Sequence, residues 1–342
     1  MTYTQTGRII KMTGGLYTVR LDTDASSASD SPLAGKTVEC RARGNFRHEH
    51  TTPLVGDLVI VQYDDSSFTR DGEGATPSED GTGIMIAEIL PRKNDLIRPP
   101  LANVDVMLVV VAAASPDPDI PTLDKLLTIL EFNRIEPVLV IGKAELKPKR
   151  AAKIAALYQQ IGYRTFVLSC YTGEGVQAFS DFAHTALRGK ITAVAGASGA
   201  GKSTLLNTVF PGLNLVTGDI SEKIGRGKNT TRHTELFDLP GQSGYIADTA
   251  GGARLERGYI ADTAGFSLLD FERFDFFTLE DLPHTLREFT PYLGKCRYTD
   301  CMHLSDEGCA ILEAVQAGAI PRTRHEAYKE LYATLKEKKK YK

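Results

Sequence analysis

Residues 196–203 constrain this chain more than any other stretch, because their sequence, GASGAGKS, fits the phosphate-binding pattern G-x-x-x-x-G-K-[ST]. The apolar run 191–195 before them predicts a buried strand, and apolar residues at helical spacing in 204–210 predict a helix. Such an arrangement turns backbone N–H groups and a helix N-terminus toward an anion. Lys202 would reach phosphate oxygens, and Ser203 would ligate Mg²⁺. The predicted phosphate-side residues are Gly196, Ala197, Ser198, Gly199, Ala200, Gly201, Lys202, Ser203 and Thr204.

The composition is that of an ordinary globular chain. Its 342 residues are 42% hydrophobic and 24% charged, with a formal net charge of -3, which excludes a protein that coats nucleic acid with its whole surface. This length predicts two or three domains. The N-terminus lacks the basic-then-apolar order of a signal peptide, and the longest apolar run, 106–114, is about half of the roughly 20 residues that span a membrane. We therefore expect a cytoplasmic protein without membrane contact.

Residues 1–92 show the pattern of an all-β region. Apolar and polar residues alternate on both sides of Gly14 and Gly15, which is typical of a hairpin, and further short β-rich segments follow. A five-stranded barrel of the OB type is the expected architecture. Between strands, the segment 41–48 (RARGNFRH) is basic and contains Phe46. Two interpretations stay open: Phe46 stacks on an RNA base while the arginines contact phosphates, or Phe46 is tucked into the barrel below a solvated loop.

Strands and helices alternate after residue 93. Apolar segments near 104–113, 137–141 and 165–168 predict parallel strands, and ligands bind at the carboxyl ends of such strands. Two of these ends carry the sequences GKAEL and SC. The corresponding motifs in GTPases are N-K-x-D, which reads the guanine base, and S-A-[KL], whose backbone supports it. The predicted base-side residues are Gly142, Lys143, Glu145, Ser169 and Cys170.

These base-side motifs precede the phosphate loop, which reverses the usual order along the chain. After the loop come a candidate switch segment, 225–231 (GRGKNTT), and a D-x-x-G motif that begins at Asp262. Thr231 (or Thr230) would close on the γ-phosphate and ligate Mg²⁺, Asp262 would hold Mg²⁺ through water, and the Gly265 N–H would sense the γ-phosphate. Each short motif is weak alone, but the whole set at strand ends is strong. The predicted catalytic set is Lys202, Thr231, Asp262 and Gly265.

Segments along nearly the whole chain match one family pattern: GGLYTV, CRARGNFR, PLVGD, RKNDLIRPPLANVD, GASGAGKSTLLN, GRGKNTTRHTEL, DTAGF and a C-terminal cysteine cluster. In these segments the chain resembles the circularly permuted GTPases of the ribosome small-subunit-dependent GTPase A (RsgA) type. The resemblance implies an OB-fold RNA-binding domain (1–92), a central α/β circularly permuted P-loop GTPase domain (93–272) and a mostly helical zinc-binding domain with a basic tail (273–342).

The same resemblance implies an activity and its partners. GTP would be hydrolysed to GDP and phosphate with Mg²⁺, and the small (30S) ribosomal subunit would stimulate the reaction. The protein would bind the rRNA of that subunit and act late in its maturation, as a monomer.

Three of the five cysteines lie close to a histidine near the C-terminus. Four soft or borderline donors within fourteen residues suit one structural, tetrahedral Zn²⁺ better than a disulfide framework. Helical patterns are expected on both sides, at 279–289 and 310–316, and a last helix from about Arg322 ends in a basic tail that would contact rRNA phosphates. The predicted zinc ligands are Cys296, Cys301, His303 and Cys309.

Several positions depart from the family pattern. Gly142 stands where the family has Asn and offers no side chain, and Glu145 stands where it has Asp and carries its carboxylate on a longer arm. We expect weaker or less selective guanine binding. Asn229 replaces a family His, and Phe266 follows the D-x-x-G motif, where an apolar ring cannot orient water. Intrinsic turnover should therefore be slow.

The octapeptide GYIADTAG occurs twice, at 244–251 and 258–265, and only one copy can be the metal-side motif. Asp262 is favoured because its copy runs into the sequence that follows the motif in the family. Asp248 better matches the usual distance from the threonine pair, so the choice stays open.

Three hypotheses of different classes follow. The leading one is a GTP-hydrolysing assembly factor of the small ribosomal subunit. The alternative is an rRNA-binding module with a degenerate or base-unselective nucleotide site, which Gly142, Glu145 and Asn229 motivate. The third is a nucleotide hydrolase that acts on no ribosome, which the basic segment 41–48 and the cysteine cluster disfavour.

Overall fold

The fold is taken from a computed structural model. It describes residues 2–23, 32–47, 51–71, 74–77, 83–96, 100–213, 234–239, 259–262 and 278–339. The chain divides into two compact units. The first unit comprises residues 1–105, 181–194 and 209–264, and the second comprises residues 106–180, 195–208 and 265–342.

The described residues form fifteen strands and six α-helices. The strands are β1 (Thr2–Thr13), β2 (Leu16–Leu21), β3 (Thr37–Ala42), β4 (Leu58–Asp64), β5 (Phe68–Asp71), β6 (Gly74–Pro77), β7 (Met85–Ile89), β8 (Asp95–Leu96), β9 (Leu101–Ala102), β10 (Val106–Ala112), β11 (Glu136–Gly142), β12 (Arg164–Val167), β13 (Ile191–Ala195), β14 (Thr234–Asp238) and β15 (Tyr259–Asp262). The helices are α1 (Ile120–Phe132), α2 (Pro148–Ile161), α3 (Val176–Ala186), α4 (Lys202–Val209), α5 (Ala310–Gln316) and α6 (Arg322–Lys339). None of these helices combines the length and apolarity that a bilayer span requires.

The N-terminal part of the first unit is a closed five-stranded barrel, as the sequence predicts. Its strands follow the order β1-β2-β3-β7-β4, and β4 closes the ring by pairing with β1. All pairs are antiparallel except β3 with β7. The register shift between Ile9 and Lys11, where β1 pairs with β2, bends this long strand. Alternate residues point inward, so that Tyr17, Val19 and Leu21 of β2 are buried in the core.

The barrel continues into a second group of strands within the same unit. β14 pairs antiparallel with β1, with Lys11 opposite Glu235, and the two side chains form an ion pair of 3.0 Å. β15 pairs antiparallel with β14 and parallel with β13. The strand that precedes the phosphate loop therefore belongs to a mixed sheet with β14 and β15.

The second unit contains three parallel strands in the order β12-β11-β10. β10 and β11 are buried along almost their whole length, which explains their continuous apolar sequences. Helix α1 begins at the N-cap Asp119, whose carboxylate accepts a 3.2 Å hydrogen bond from the Thr122 N–H. Its apolar residues Leu126, Leu127 and Leu130 are buried, as their spacing predicts.

The C-terminal part of the second unit packs around Leu282, Phe289, Ile311, Tyr328 and other apolar side chains. Helices α5 and α6 confirm the predicted segments. The predicted helix over 279–289 is wrong: the structure has turns and a short 3-10 segment, Leu282–Thr285, there. Pro283 explains this difference, because proline removes a backbone donor and restricts the preceding residue.

A buried polar cluster joins this C-terminal part to helix α1. Arg324 of α6 is fully buried and contacts Glu288 through Nε–Oε1 at 2.5 Å and the Asp124 carbonyl through Nη1 at 2.9 Å. The Tyr158 hydroxyl donates to Asp124 Oδ1 at 2.8 Å. Burial raises the pKa of Asp124, and the positive charge of Arg324 opposes that rise. Residues far apart in sequence therefore share one desolvated network.

The segment after Asp64 is rich in Ser, Asp and Gly, yet it contains two paired strands. β5 and β6 form a hairpin at 68–77, with Phe68 paired to Pro77 in register. The Phe68 ring lies 6.0 Å from Tyr3 and 6.3 Å from Tyr63, centroid to centroid. These aromatic contacts attach the hairpin to the barrel.

Candidate functional site

A pocket of about 270 Å³ lies at the carboxyl ends of the parallel strands in the second unit. Strands β10 and β11 contribute Val110, Val140 and Gly142 to its lining, and the turn after β12 contributes Cys170. The predicted residues that line it together are Gly142, Lys143, Glu145, Cys170, Ala200, Gly201 and Thr204. Base-side and loop residues, although separated in sequence, therefore meet in one cavity, where a doubly wound sheet binds its ligands.

The two charged residues of the pocket follow β11. Lys143 adopts a left-handed backbone conformation with a φ of 53° and donates from Nζ to the Ser115 carbonyl. Glu145 lies in the 3-10 turn Ala144–Leu146. Its Oε2 atom is buried and has no hydrogen-bond partner among the described residues. A buried carboxylate oxygen without a partner is costly, so a ligand that donates N–H groups would stabilise this position.

The two glycines of the pocket region differ in the space around them. A Cβ atom at Gly196, whose φ is 150°, would lie 2.3 Å from the Val110 carbonyl oxygen, so the loop passes too close to β10 for any other residue. A Cβ atom at Gly142 would meet only the Ala200 carbonyl oxygen, at 3.7 Å. The glycine at 196 is therefore required by the loop, whereas the glycine at 142 leaves open space.

The phosphate loop ends at helix α4, as the pattern predicts. Lys202 is the first residue of this helix, and its Nζ donates to the carbonyl oxygens of Gly196 and Ala197, both at 2.9 Å. The side-chain amine is thereby held over the loop that would surround a phosphate. Ser203 follows in the first turn of the helix. Gly196 and Ala197 lie apart from the base-side pocket and line a smaller cavity with the segment 116–119.

Of the predicted base-side pair Ser169 and Cys170, only Cys170 lines the pocket. Ser169 is buried, and its Oγ accepts a 3.1 Å hydrogen bond from the Thr172 N–H. Its role is therefore to shape the turn. Burial raises the pKa of the Cys170 thiol, so this group stays protonated and unreactive near neutral pH.

Sequence reasoning missed six residues that line the pocket. Four are buried apolar residues, Val110, Val140, Leu168 and Leu205, and the other two are Leu146 and Tyr171. Both side chains are exposed, Leu146 by 48% and Tyr171 by 89%. Leu146 is the last residue of the segment GKAEL, and Tyr171 directly follows Ser169 and Cys170. These positions are the sign in the sequence that could have revealed them.

Several predicted residues lie outside the described part of the chain. The switch segment 225–231 belongs to this group, as do Asp248, Gly265 and Phe266. The backbone of Asp262 is described as the last residue of β15. The predicted roles of Thr231, Asp262 and Gly265 therefore remain predictions.

The predicted zinc ligands converge in the C-terminal part. One donor atom from each of Cys296, Cys301, His303 and Cys309 lies within 4.8 Å of the others. His303 Nδ1 is 3.5 Å from the sulfurs of both Cys296 and Cys309. His303 and Cys309 are buried, while the other two are half-buried. Four soft or borderline donors at these separations fit a tetrahedral Zn²⁺.

The surroundings of the cluster hold it in place and tune its donors. The backbone carbonyl of His303 is 2.8 Å from His325 Nε2, and the Tyr328 hydroxyl donates to the Met302 carbonyl at 2.8 Å. Burial lowers the pKa of His303, which favours the neutral imidazole that ligates metals. Burial also raises the pKa of Cys301 to about 12, and a bound dication would reverse that effect by favouring the thiolate.

The structure favours one of the two interpretations of Phe46 in the basic segment that follows β3. Residues Gly44–Arg47 form a 3-10 turn, and Phe46 is only 9% exposed. Its ring is therefore tucked into the barrel rather than presented to a base. Arg41 is exposed, and Arg43 donates from Nη2 to the Gln62 side chain.

A phosphate loop that follows its own base-side pocket along the chain defines the class of circularly permuted P-loop GTPases. A comparison with family models matches residues 89–272 to the RsgA GTPase and residues 6–69 to the RsgA N-terminal domain. Because the first match covers more than half of the chain, the chain belongs to the RsgA GTPase family.

Individual relatives agree with this family. The chain is 38% identical over 337 residues to the small ribosomal subunit biogenesis GTPase RsgA of Geobacillus kaustophilus, covering 97% of this chain and 98% of that protein. It is 36% identical over 335 residues to the RsgA protein of Caldanaerobacter subterraneus, covering 98% and 97%. The crystal structure of YjeQ from Thermotoga maritima matches with a TM-score of 0.69 at 28% identity, covering 97% of this chain and 99% of that one. The crystal structure of YloQ, a circularly permuted GTPase, matches with a TM-score of 0.68 at 29% identity, covering 98% and 96%.

Proposed function

We propose that this protein hydrolyses GTP to GDP and phosphate and acts in the biogenesis of the small ribosomal subunit. The observation that carries the proposal is the pocket in which the unpartnered Glu145 Oε2 lies beside the phosphate loop. The family match is to a GTPase, and relatives that align with 97–98% of this chain carry the name of a small ribosomal subunit biogenesis GTPase.

In this proposal the base is read mainly by Glu145. Guanine presents two neighbouring N–H donors on one edge, and a carboxylate accepts both of them. Adenine presents an acceptor where guanine has its ring N–H, so an ionised carboxylate disfavours it. Gly142 contributes only backbone atoms to the base site. In the second base-side motif, Cys170 likewise contributes backbone atoms. Selectivity for guanine therefore rests on fewer groups than in a chain with the complete motif.

The phosphates would be bound by the loop 196–201 and by Lys202, whose amine would exchange the loop carbonyls for phosphate oxygens. Ser203 and Thr231 would ligate Mg²⁺, with Asp262 acting through water. When bound, Mg²⁺ neutralises the negative charge that accumulates on the phosphate oxygens. The Gly265 N–H would report the presence of the γ-phosphate.

The residue that follows the D-x-x-G motif is Phe266, whose apolar ring cannot orient an attacking water. Intrinsic turnover is therefore slow in this proposal, and the small ribosomal subunit accelerates it by completing the arrangement around the γ-phosphate. This is the behaviour of GTPases that depend on an activating partner.

The remaining regions supply binding and stability. The four residues of the Cys/His cluster would hold one structural Zn²⁺, and the barrel segment 41–47 together with α6 would contact rRNA phosphates without reading sequence. We also propose domains at 1–92, 93–272 and 273–342, a monomer and a cytoplasmic location.

The test is hydrolysis of GTP and ATP by the purified protein, each with and without small ribosomal subunits. Strong stimulation confined to GTP supports the proposal. Stimulation with both nucleotides means that Gly142 and Glu145 no longer select guanine. Absence of hydrolysis under every condition favours the alternative, an rRNA-binding module with a degenerate nucleotide site, for which the missing side chain at Gly142 is the supporting observation.

A further inference from the structure

Tyr171 is the most exposed large apolar side chain among the described residues, at 89%, and it stands at the rim of the nucleotide pocket. The next most exposed, Leu146 and Tyr298, are each at 48%. A single exposed apolar residue needs no explanation, but Tyr171 and Leu146 line the same cavity. The pocket therefore has an apolar rim in front of its ligand space.

The backbone around Tyr171 is fixed even though its ring is in solvent. The Ser169 Oγ accepts from the Thr172 N–H at 3.1 Å, and the Ser169 carbonyl accepts from the Gly173 N–H at 2.9 Å. The Ser169 N–H donates to the Glu174 carbonyl at 2.9 Å. Three hydrogen bonds thus close the turn on both sides of Tyr171. A ring presented in this way loses little backbone entropy when a ligand covers it.

The rest of the pocket offers few other sources of affinity for a base. Its inner wall is apolar, from Val110, Val140 and Leu205, and the side chain missing at Gly142 leaves open space. Glu145 is the one carboxylate among the described residues of the lining. A flat aromatic ring at the rim complements such a pocket, because aromatic side chains stack on the π-face of any base.

The geometry points to Tyr171 as the base-stacking residue of this site, an inference that rests on the proposed nucleotide binding. Tyr171 covers one face of the bound base and supplies affinity, while Glu145 supplies the preference for guanine. This division of roles compensates for the absent side chain at Gly142. It also means that affinity and selectivity are separable by single substitutions.

The first test measures equilibrium binding of GDP, ADP and inorganic pyrophosphate to the full chain. Tyr171→Ala should weaken GDP and ADP by a similar factor, roughly tenfold, and leave pyrophosphate unchanged, since stacking is indifferent to base identity and pyrophosphate has no base. Tyr171→Phe keeps the aromatic ring and should bind both nucleotides as the parent does. Glu145→Gln should weaken GDP without weakening ADP. Tyr298→Ala is the matched control, an exposed tyrosine outside the pocket, and should bind all three ligands as the parent does.

The second test uses fluorescence. The chain contains no tryptophan, so Tyr171→Trp creates a protein with one indole at the pocket rim. Stacking of a base on that indole should quench its emission when GDP binds, whereas pyrophosphate should leave the emission unchanged.

The outcomes separate this inference from the proposal beneath it. If the parent chain binds GDP but Tyr171→Ala binds it equally well, the stacking role is wrong and the proposed function stands. Loss of pyrophosphate binding together with GDP binding would show that Tyr171 acts on the loop and not on a base. If the parent chain binds neither GDP nor GTP, both ideas fail.

Discussion

The Cys/His cluster and the nucleotide pocket belong to the same compact unit, but they differ in how complete they are without a ligand. In the cluster, four side-chain donors already lie within 4.8 Å of one another, and neighbouring side chains hold the backbone carbonyls of Met302 and His303. The pocket is an open space of about 270 Å³ with the exposed ring of Tyr171 and with an oxygen of Glu145 that has no partner in the described part of the chain.

This difference reflects what each site is built from. In the proposed function, side chains would bind the metal, and the cysteines among them also belong to or pack against the C-terminal core, so the cluster is part of the fold. In the same proposal, backbone amides and the ends of strands would bind the nucleotide, and the ligand itself would supply the missing partners. We therefore expect changes in the C-terminal part to act on stability, and changes in the pocket to act on affinity and rate.

The largest expected effect comes from the metal cluster. A chelator, or Cys309→Ser, should unfold the C-terminal part, because structural zinc contributes on the order of 10 kcal/mol in small zinc domains. Elemental analysis should find one zinc per chain, and hydrogen exchange over residues 278–339 should accelerate after its removal. A preparation without zinc whose residues 278–339 exchange as slowly as in the zinc-loaded protein would show that the cluster is an ordinary core and would remove the contrast with the pocket.

The buried network of Arg324 should give the next largest effect. Arg324→Met leaves the carboxylates of Asp124 and Glu288 desolvated without a cation, and such losses cost about 3–5 kcal/mol. Chemical denaturation should measure this loss. Arg322→Met, an exposed arginine on the same helix, is the matched control and should change stability little. A small loss at Arg324 would show that this buried network contributes little to stability.

Lys202→Ala tests the pocket side of the comparison. Removing this amine takes away a charge from the phosphate loop, and we expect hydrolysis to fall by about 10²–10³-fold, while thermal stability and RNA affinity stay close to those of the parent. Lys153→Ala, an exposed lysine on α2, should leave hydrolysis unchanged. Equal loss of hydrolysis and RNA affinity would contradict the separation between nucleotide and RNA binding.

The sequence predicted best what depends on local patterns. The strand at 191–195 has the predicted bounds, the closed barrel is confirmed, and the four predicted zinc ligands lie close together, because alternation, glycines and cysteine spacing act over short distances. The helix at 279–289 was wrong because its apolar spacing outweighed Pro283 in the prediction. No local pattern could reveal the burial of Arg324, since its partner Asp124 lies 200 residues away. The exposure of Tyr171 could not be predicted, because exposure is a property of the folded turn.

The smallest expected effect is a gain, and it tests whether the open space at Gly142 limits base recognition. Gly142→Asn restores the family residue at the end of β11, where the new side chain would start 3.7 Å from its nearest neighbour. One added hydrogen bond contributes about 1 kcal/mol, so the preference for GDP over ADP should rise by roughly five- to tenfold. Binding of both nucleotides by calorimetry measures this ratio.

Gly142→Ala is the control for that gain, because it adds the same Cβ atom without an amide and should leave the ratio unchanged. If both variants raise GDP affinity equally, the benefit comes from a stiffer backbone at the strand end, and base reading in the parent then rests on Glu145 alone. If neither variant changes the ratio while Glu145→Gln removes the preference for GDP over ADP, the Glu145 carboxylate accounts for all selectivity. Only a gain specific to asparagine would show that the pocket is incomplete because it lacks a side chain at residue 142, and not merely because its ligand is absent.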